Sequence, residues 1–72
     1  MKTQANILFG QRVACLRKRM GLSQEQLAFH CGFDRTYIGC IERGEKSATI
    51  NTIDKLAKGF NITLTELFNY NN

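Results

Sequence analysis

Proline is absent from the 72 residues, and with it the usual marker of a linker or a broken helix. No low-complexity tract divides the chain either, so a single domain over residues 1–72 with one small core is expected. The longest apolar runs are three or four residues, too short to span a membrane. The first residues, MKTQANILFGQRV, lack the apolar stretch of a secretory signal, and a cytoplasmic location is expected. Cysteine is scarce and poorly spaced for chemistry. Cys15, Cys31 and Cys40 are odd in number and form no CxxC pair, and His30 adjoins Cys31 too closely for both to hold one ion. Neither a metal nor another cofactor is expected, and the thiols read as reduced. Cys15 and Cys31 fall where small core residues would sit, with Cys40 on another face. With no nucleophile, acid pair or metal cluster, and a chain too short to enclose a pocket, no enzymatic role is expected.

What is present begins with charge. Ten Lys and Arg against six Asp and Glu give a formal net charge of +4, a modest pointer to a polyanionic partner. Helix starts then recur in one grammar. Ser23 and Gln26 form a capping box flanked by the staple pair Leu22 and Leu27. Asp34 repeats the arrangement, with Phe33 stapled to Ile38, and Thr63 and Glu66 form another box. Thr49 is a fourth cap, ahead of Ile50 and Ile53. Gly21, Gly32, Gly44 and Asn61 precede these starts, all tolerant of the left-handed conformation that ends a helix.

Between these marks the apolar spacing is helical. Phe9, Val13, Leu16 and Met20 fall at i, i+4, i+7 and i+11. Leu27, Ala28 and Cys31 line a second helix, and Ile38 and Ile41 a third. Ile50, Ile53, Leu56, Ala57 and Phe60 line a fourth, and Leu64, Leu67 and Phe68 a short fifth. No segment alternates over a strand's length. The fold class is all-α, five short helices. The large apolar residues near the C-terminus exceed what a small core needs, which makes about 58–70 a dimerisation region with Ile62, Leu64 and Phe68 as its candidates.

Cys31-Gly32-Phe33 leaves a tight bend between the second and third helices. That is the layout of a helix-turn-helix over about 23–43, whose second helix is presented to a DNA major groove. On a third helix starting at Arg35, Ile38 and Ile41 face inward, so Arg35, Thr36, Gly39, Cys40 and Arg43 face outward. An arginine at a helix N-terminus opposes the macrodipole. The cost makes sense if that end enters a polyanion's groove. Arg35 offers a donor fork suited to guanine O6 and N7, and Thr36 a hydroxyl and methyl for a base or phosphate. Tyr37 follows with a hydroxyl for phosphate, and Gly39 lets the helix approach closely. Gln24, at the start of the second helix, and Arg43, Lys46 and Ser47 are candidate phosphate contacts. Glu45 is an opposing charge among them.

The run GLSQEQLAFHCGFDRTYIGCIERGEKSATINTIDKLAKGFNITLTELF resembles the Cro/C1-type helix-turn-helix family, and the likeness extends from about Phe9 to Phe68. It implies a five-helix lambda-repressor-like DNA-binding domain. Within the family, DRTYIGCIERGEK is similar to the controller proteins of bacterial restriction–modification systems. This implies a dimeric transcriptional regulator that binds a palindromic double-stranded DNA operator in the bacterial nucleoid, with RNA polymerase a further candidate partner. The resemblance carries Gln24, Arg35, Thr36, Tyr37, Arg43 and Ser47 over as DNA contacts. It also implies a structural salt bridge between Arg17 and Glu42. Phe29 stands where the family commonly has a polar residue, and Cys40 also replaces a commonly polar one. A phage repressor or an antitoxin is the alternative within the family, although the sequence ends at Asn72 without the added segments many of those carry. A protein-interaction module using Phe29 and the C-terminal helix is the reading from another class.

Overall fold

The computed structural model describes residues 2–71. Its elements are α1 (Gln4–Arg19), α2 (Gln24–Cys31), α3 (Arg35–Glu42), α4 (Ile50–Phe60) and α5 (Leu64–Leu67). Each helix starts after an extended residue. Thr3, Ser23, Thr49 and Thr63 each accept a hydrogen bond from the amide three residues on. Both capping boxes are closed, with Gln26 and Glu66 reaching back to the cap amides. Asp34 takes the cap position of α3, but its side chain makes no cap hydrogen bond.

The turn between α2 and α3 needs its glycine. Gly32 has φ 79°, and the Phe33 amide bonds back to the Ala28 carbonyl at 2.7 Å. This closes the end of α2 and aims α3 across it. A second glycine works by absence of volume. A Cβ at Gly10 would strike the carbonyl oxygens of Ile41 and Glu42, so α1 crosses the end of α3 backbone against backbone.

One core joins all five helices. Phe9, Val13 and Leu16 come from α1, Leu27 and Ala28 from α2, and Ile38 and Ile41 from α3. Leu56, Ala57, Phe60 and Leu67 complete it. Several inward assignments fail at helix ends. Met20, the α1 C-cap, is 45% exposed, and Ile50, the first residue of α4, is 80% exposed. Each continues its helix's spacing, but a helix end projects past its neighbours, so register alone does not bury it. Cys15 and Cys31 are both half-buried; Cys31 packs against the core, and Cys15 is not part of it. On α5 only Leu67 is buried, while Leu64 and Phe68 are half-exposed.

Arg12 was not anticipated. It lies on the buried stripe of α1, with 6% of its area exposed. Its guanidinium donates to the carbonyls of Leu67 at 3.2 Å and Glu66 at 2.7 Å. It thereby satisfies the open carbonyl end of α5 and ties it to α1. The short fifth helix is held by a buried cation as well as by Leu67.

Candidate nucleic-acid interface

Three chain segments meet on one face: the start of α2, the first turn of α3, and the loop from Gly44 to Thr49. The Arg35 and Thr36 side chains are exposed. The Asp34 carbonyl accepts from the amides of Tyr37 and Ile38, but its side chain makes no cap hydrogen bond, so the first amides of α3, at Arg35 and Thr36, receive no acceptor from it. The end is left positive by its dipole and by Arg35, and open to an anion.

Tyr37 is positioned with more constraint than its neighbours. Its ring packs against Phe33 at 5.3 Å between centroids, and Lys46 Nζ lies 5.9 Å above its centre. Its hydroxyl is 2.9 Å from Thr52 Oγ1, a contact between α3 and α4 that no local spacing signals. The Lys46 ammonium thus stands beside the first turn of α3.

Gly39 departs from expectation. It is buried, not open to the outer face, because the Arg43 and Gln24 side chains lie over it. Both covering groups end in flexible polar heads, so the helix is shielded by side chains that can swing away. Cys40 is half-buried, and Arg43 donates to its sulfur at 3.7 Å. Arg43 also forms a two-pronged pair with Glu45, at 2.9 and 3.1 Å. That hydrogen bond and the charge beside it hold the Glu45 carboxyl below the usual carboxylate range. Both side chains are largely exposed, so the pair contributes little to stability. Ser47 Oγ accepts from Asn6 Nδ2 at 3.0 Å, which pins the loop to the start of α1.

Behind this face lies a polar cluster centred on one carboxylate. Arg17 donates to both oxygens of Glu42, at 2.6 and 3.1 Å, and to the Leu22 carbonyl at 2.8 Å. Gln24 Nε2 donates to Glu42 Oε1 at 3.0 Å. The two charged side chains are only 13% and 6% exposed. One carboxylate therefore joins α1, α2 and α3, and holds the Gln24 side chain over α3. Arg17 and Glu42 sit behind the surface that carries Arg35, Thr36 and Lys46.

At the opposite end, exposed apolar side chains gather. Leu64 is half-exposed, and the Phe68 ring packs between Phe9 at 5.6 Å and Tyr70 at 6.5 Å. Leu8 and Tyr70 line a shallow hollow with Gln11, Arg12 and Cys15. Ile62 is partly buried against the core. Phe29 is 89% exposed on α2, beside a hollow lined by Leu22, Glu25, Gln26 and His30. Among the described residues, no three His, Cys, Asp or Glu side chains group to hold a metal ion. Among the same residues, no helix is long and apolar enough to cross a membrane.

Comparison with known proteins agrees with this geometry. Residues 16–67 match the family model described as helix-turn-helix. The control protein C.BamHI of Bacillus amyloliquefaciens is 37% identical over 97% of this chain and 88% of its own length. The crystal structure of the restriction–modification controller protein C.AhdI from Aeromonas hydrophila superposes with a TM-score of 0.88. It has 45% identity, covering 92% of this chain and all of that one. The controller protein C.Esp1396I, solved as a tetramer in complex with its natural 35 base-pair operator, superposes with a TM-score of 0.85. Its identity is 28%, over 93% of this chain and 88% of that one. The chain belongs to the Cro/C1-type helix-turn-helix family of DNA-binding transcriptional regulators, among the restriction–modification controller proteins.

Proposed function

We propose that this chain acts as the controller of a restriction–modification system. It binds a palindromic operator as a homodimer and sets expression of its own gene and the endonuclease gene, without catalysing a reaction. The observation that carries this is the exposed Arg35–Thr36 pair on the first turn of α3, an end that no side chain caps. Arg35 reads a guanine edge and Thr36 an adjacent base or phosphate. Tyr37, Gln24, Arg43, Lys46 and Ser47 contact phosphates and fix the register. Ser47 and Gln24 exchange their present partners, Asn6 and Glu42, or share them with the phosphates. The likeness to controller proteins supports the same role, and the operator-bound tetramer of C.Esp1396I supports DNA as the ligand and self-association as the mode.

The dimer forms through the C-terminal end, where Leu64 and Phe68 are half-exposed and Ile62 lies beneath. A molecule only 26 Å across inserts one recognition helix into one stretch of groove. Two copies reach half-sites a helical turn apart, roughly 34 Å. Repeated selection of a random-sequence duplex library by the protein tests this directly. The recovered sequence should be palindromic, and sedimentation at about 10 µM should give twice the 8.2 kDa chain mass. Association of about 10 kcal/mol, a Kd of about 0.05 µM, suffices for that. Leu64→Glu should shift the protein to monomers and weaken operator binding. A monomer at that concentration, or a selected site with no symmetry, would sink the proposal.

A further inference from the structure

The side chains facing outward on α3 are held by others behind them, and one such hold runs through three hydroxyls. Thr52 on α4 is 5% exposed, at a depth where an aliphatic residue would be the simpler filler. A buried hydroxyl is costly unless hydrogen-bonded. Thr52 Oγ1 lies 2.9 Å from Tyr37 Oη, and Thr49 Oγ1 donates to it at 3.0 Å. Thr49 Oγ1 in turn accepts from the Thr52 amide at 3.1 Å as the cap of α4.

A hydroxyl has one proton and two acceptor positions. Thr49 has given its proton to Thr52. Thr52 can pass its own proton to Tyr37 Oη, which leaves the phenol proton free to point outward. In the reverse direction Tyr37 donates inward and presents only lone pairs to the surface, which a phosphate repels. The ring itself is fixed by Phe33 on α3's approach and by Lys46 above it. The direction of the hydrogen bonds is therefore what decides whether Tyr37 is an outward donor. Aligned hydroxyls also polarise one another, strengthening the terminal donor.

We propose that Thr52, oriented by Thr49, is a positioning residue for DNA binding: it donates to Tyr37 Oη and turns that hydroxyl into a phosphate donor. This rests on Tyr37 touching DNA, as stated under the proposed function. Thr52 belongs to no helix-turn-helix contact surface. Its effect is exerted wholly through Tyr37.

The test is a double-mutant cycle on affinity for a duplex selected from a random library by the wild-type protein. Thr52→Val keeps the shape and removes the hydroxyl. It should weaken binding about 3- to 10-fold, the range set by one net hydrogen bond. Thr52→Ser should restore most of the loss. Tyr37→Phe should weaken binding by at least as much, and adding Thr52→Val to Tyr37→Phe should cost nothing more. Thermal melts of each variant, run alongside, keep folding separate, because a merely structural role gives losses that persist in the Tyr37→Phe background. Full additivity, or unchanged affinity in Thr52→Val while Tyr37→Phe is weakened, would overturn the relay and leave the Tyr37 contact standing. Unchanged affinity in Tyr37→Phe would overturn both.

Discussion

Glu42→Ala removes the acceptor on which three helices converge. Glu42 receives two hydrogen bonds from Arg17 and one from Gln24, and its side chain is 6% exposed. Truncation leaves the Arg17 guanidinium, itself 13% exposed, hydrogen-bonded to the Leu22 carbonyl but without its carboxylate. Removing one member of a buried pair costs about 3–5 kcal/mol, because the other charge stays desolvated. A 72-residue chain has a total stability of only about 4–11 kcal/mol. At about 4–8 °C per kcal/mol, the melting temperature should fall by at least 12 °C, far enough for part of the chain to be unfolded at 37 °C. Glu42→Gln retains an oxygen for one hydrogen bond and should lose less. Arg17→Met combined with Glu42→Leu should recover much of the loss, since an apolar pair avoids the stranded charge. Circular dichroism melts and urea titrations of the four proteins decide the matter. If Glu42→Ala melts within about 3 °C of wild type, or the apolar pair is no better than the single variant, the cluster is not the structural tie described here.

Two further perturbations follow from single contacts. Gly10→Ala places a methyl group against the carbonyls of Ile41 and Glu42, both backbone and unable to swing aside; it should destabilise by about 1–3 kcal/mol or more, seen as a lower urea midpoint. Glu45→Gln removes the partner of Arg43 and one negative charge from the loop proposed to contact phosphates, so binding to all duplexes should tighten several-fold and the salt slope should steepen by up to about one. The sign is set by the lowered Glu45 pKa, whose leading cause is the Arg43 hydrogen bond. The carboxylate is charged throughout the neutral range, and its grip on Arg43 relaxes only as pH falls through that lowered value. Binding of wild type measured from pH 7 downward should therefore approach that of Glu45→Gln only in acid.

The parts of this fold legible in the sequence are those whose causes are local. The capping boxes at Ser23–Gln26 and Thr63–Glu66, the Thr49 cap and the left-handed breaks at Gly32 and Asn61 all act within a few residues, and all are present. Met20 and Ile50 were misplaced because periodicity gives the face of a helix but not how far its neighbours extend. Arg12 was overlooked although it carried a signal: a charge three residues after Phe9 and beside Val13 lies on the buried stripe. Its partners, the carbonyls of Glu66 and Leu67, are more than fifty residues away. The Tyr37–Thr52 contact and the closeness of Gly10 to α3 have the same character. Each depends on how two helices cross, which no local spacing encodes. On the face proposed to meet DNA, the exposure of Arg35 and Thr36 was legible from helix position, while the present partners of Gln24 and Ser47, Glu42 and Asn6, were not.

Most direct for the claim that the α3 N-terminus reads sequence is the comparison of Arg35→Ala with Arg43→Ala. Each is titrated against a duplex selected from a random library and against an unrelated duplex, over a range of salt. Arg35→Ala should lose about 1–3 kcal/mol on the selected duplex, little on the unrelated one, and relax discrimination at one base pair per half-site. Arg43→Ala should weaken both duplexes alike and flatten the salt dependence. Equal losses on selected and unrelated DNA in Arg35→Ala would make Arg35 one more phosphate anchor and contradict the role given to that end of the helix.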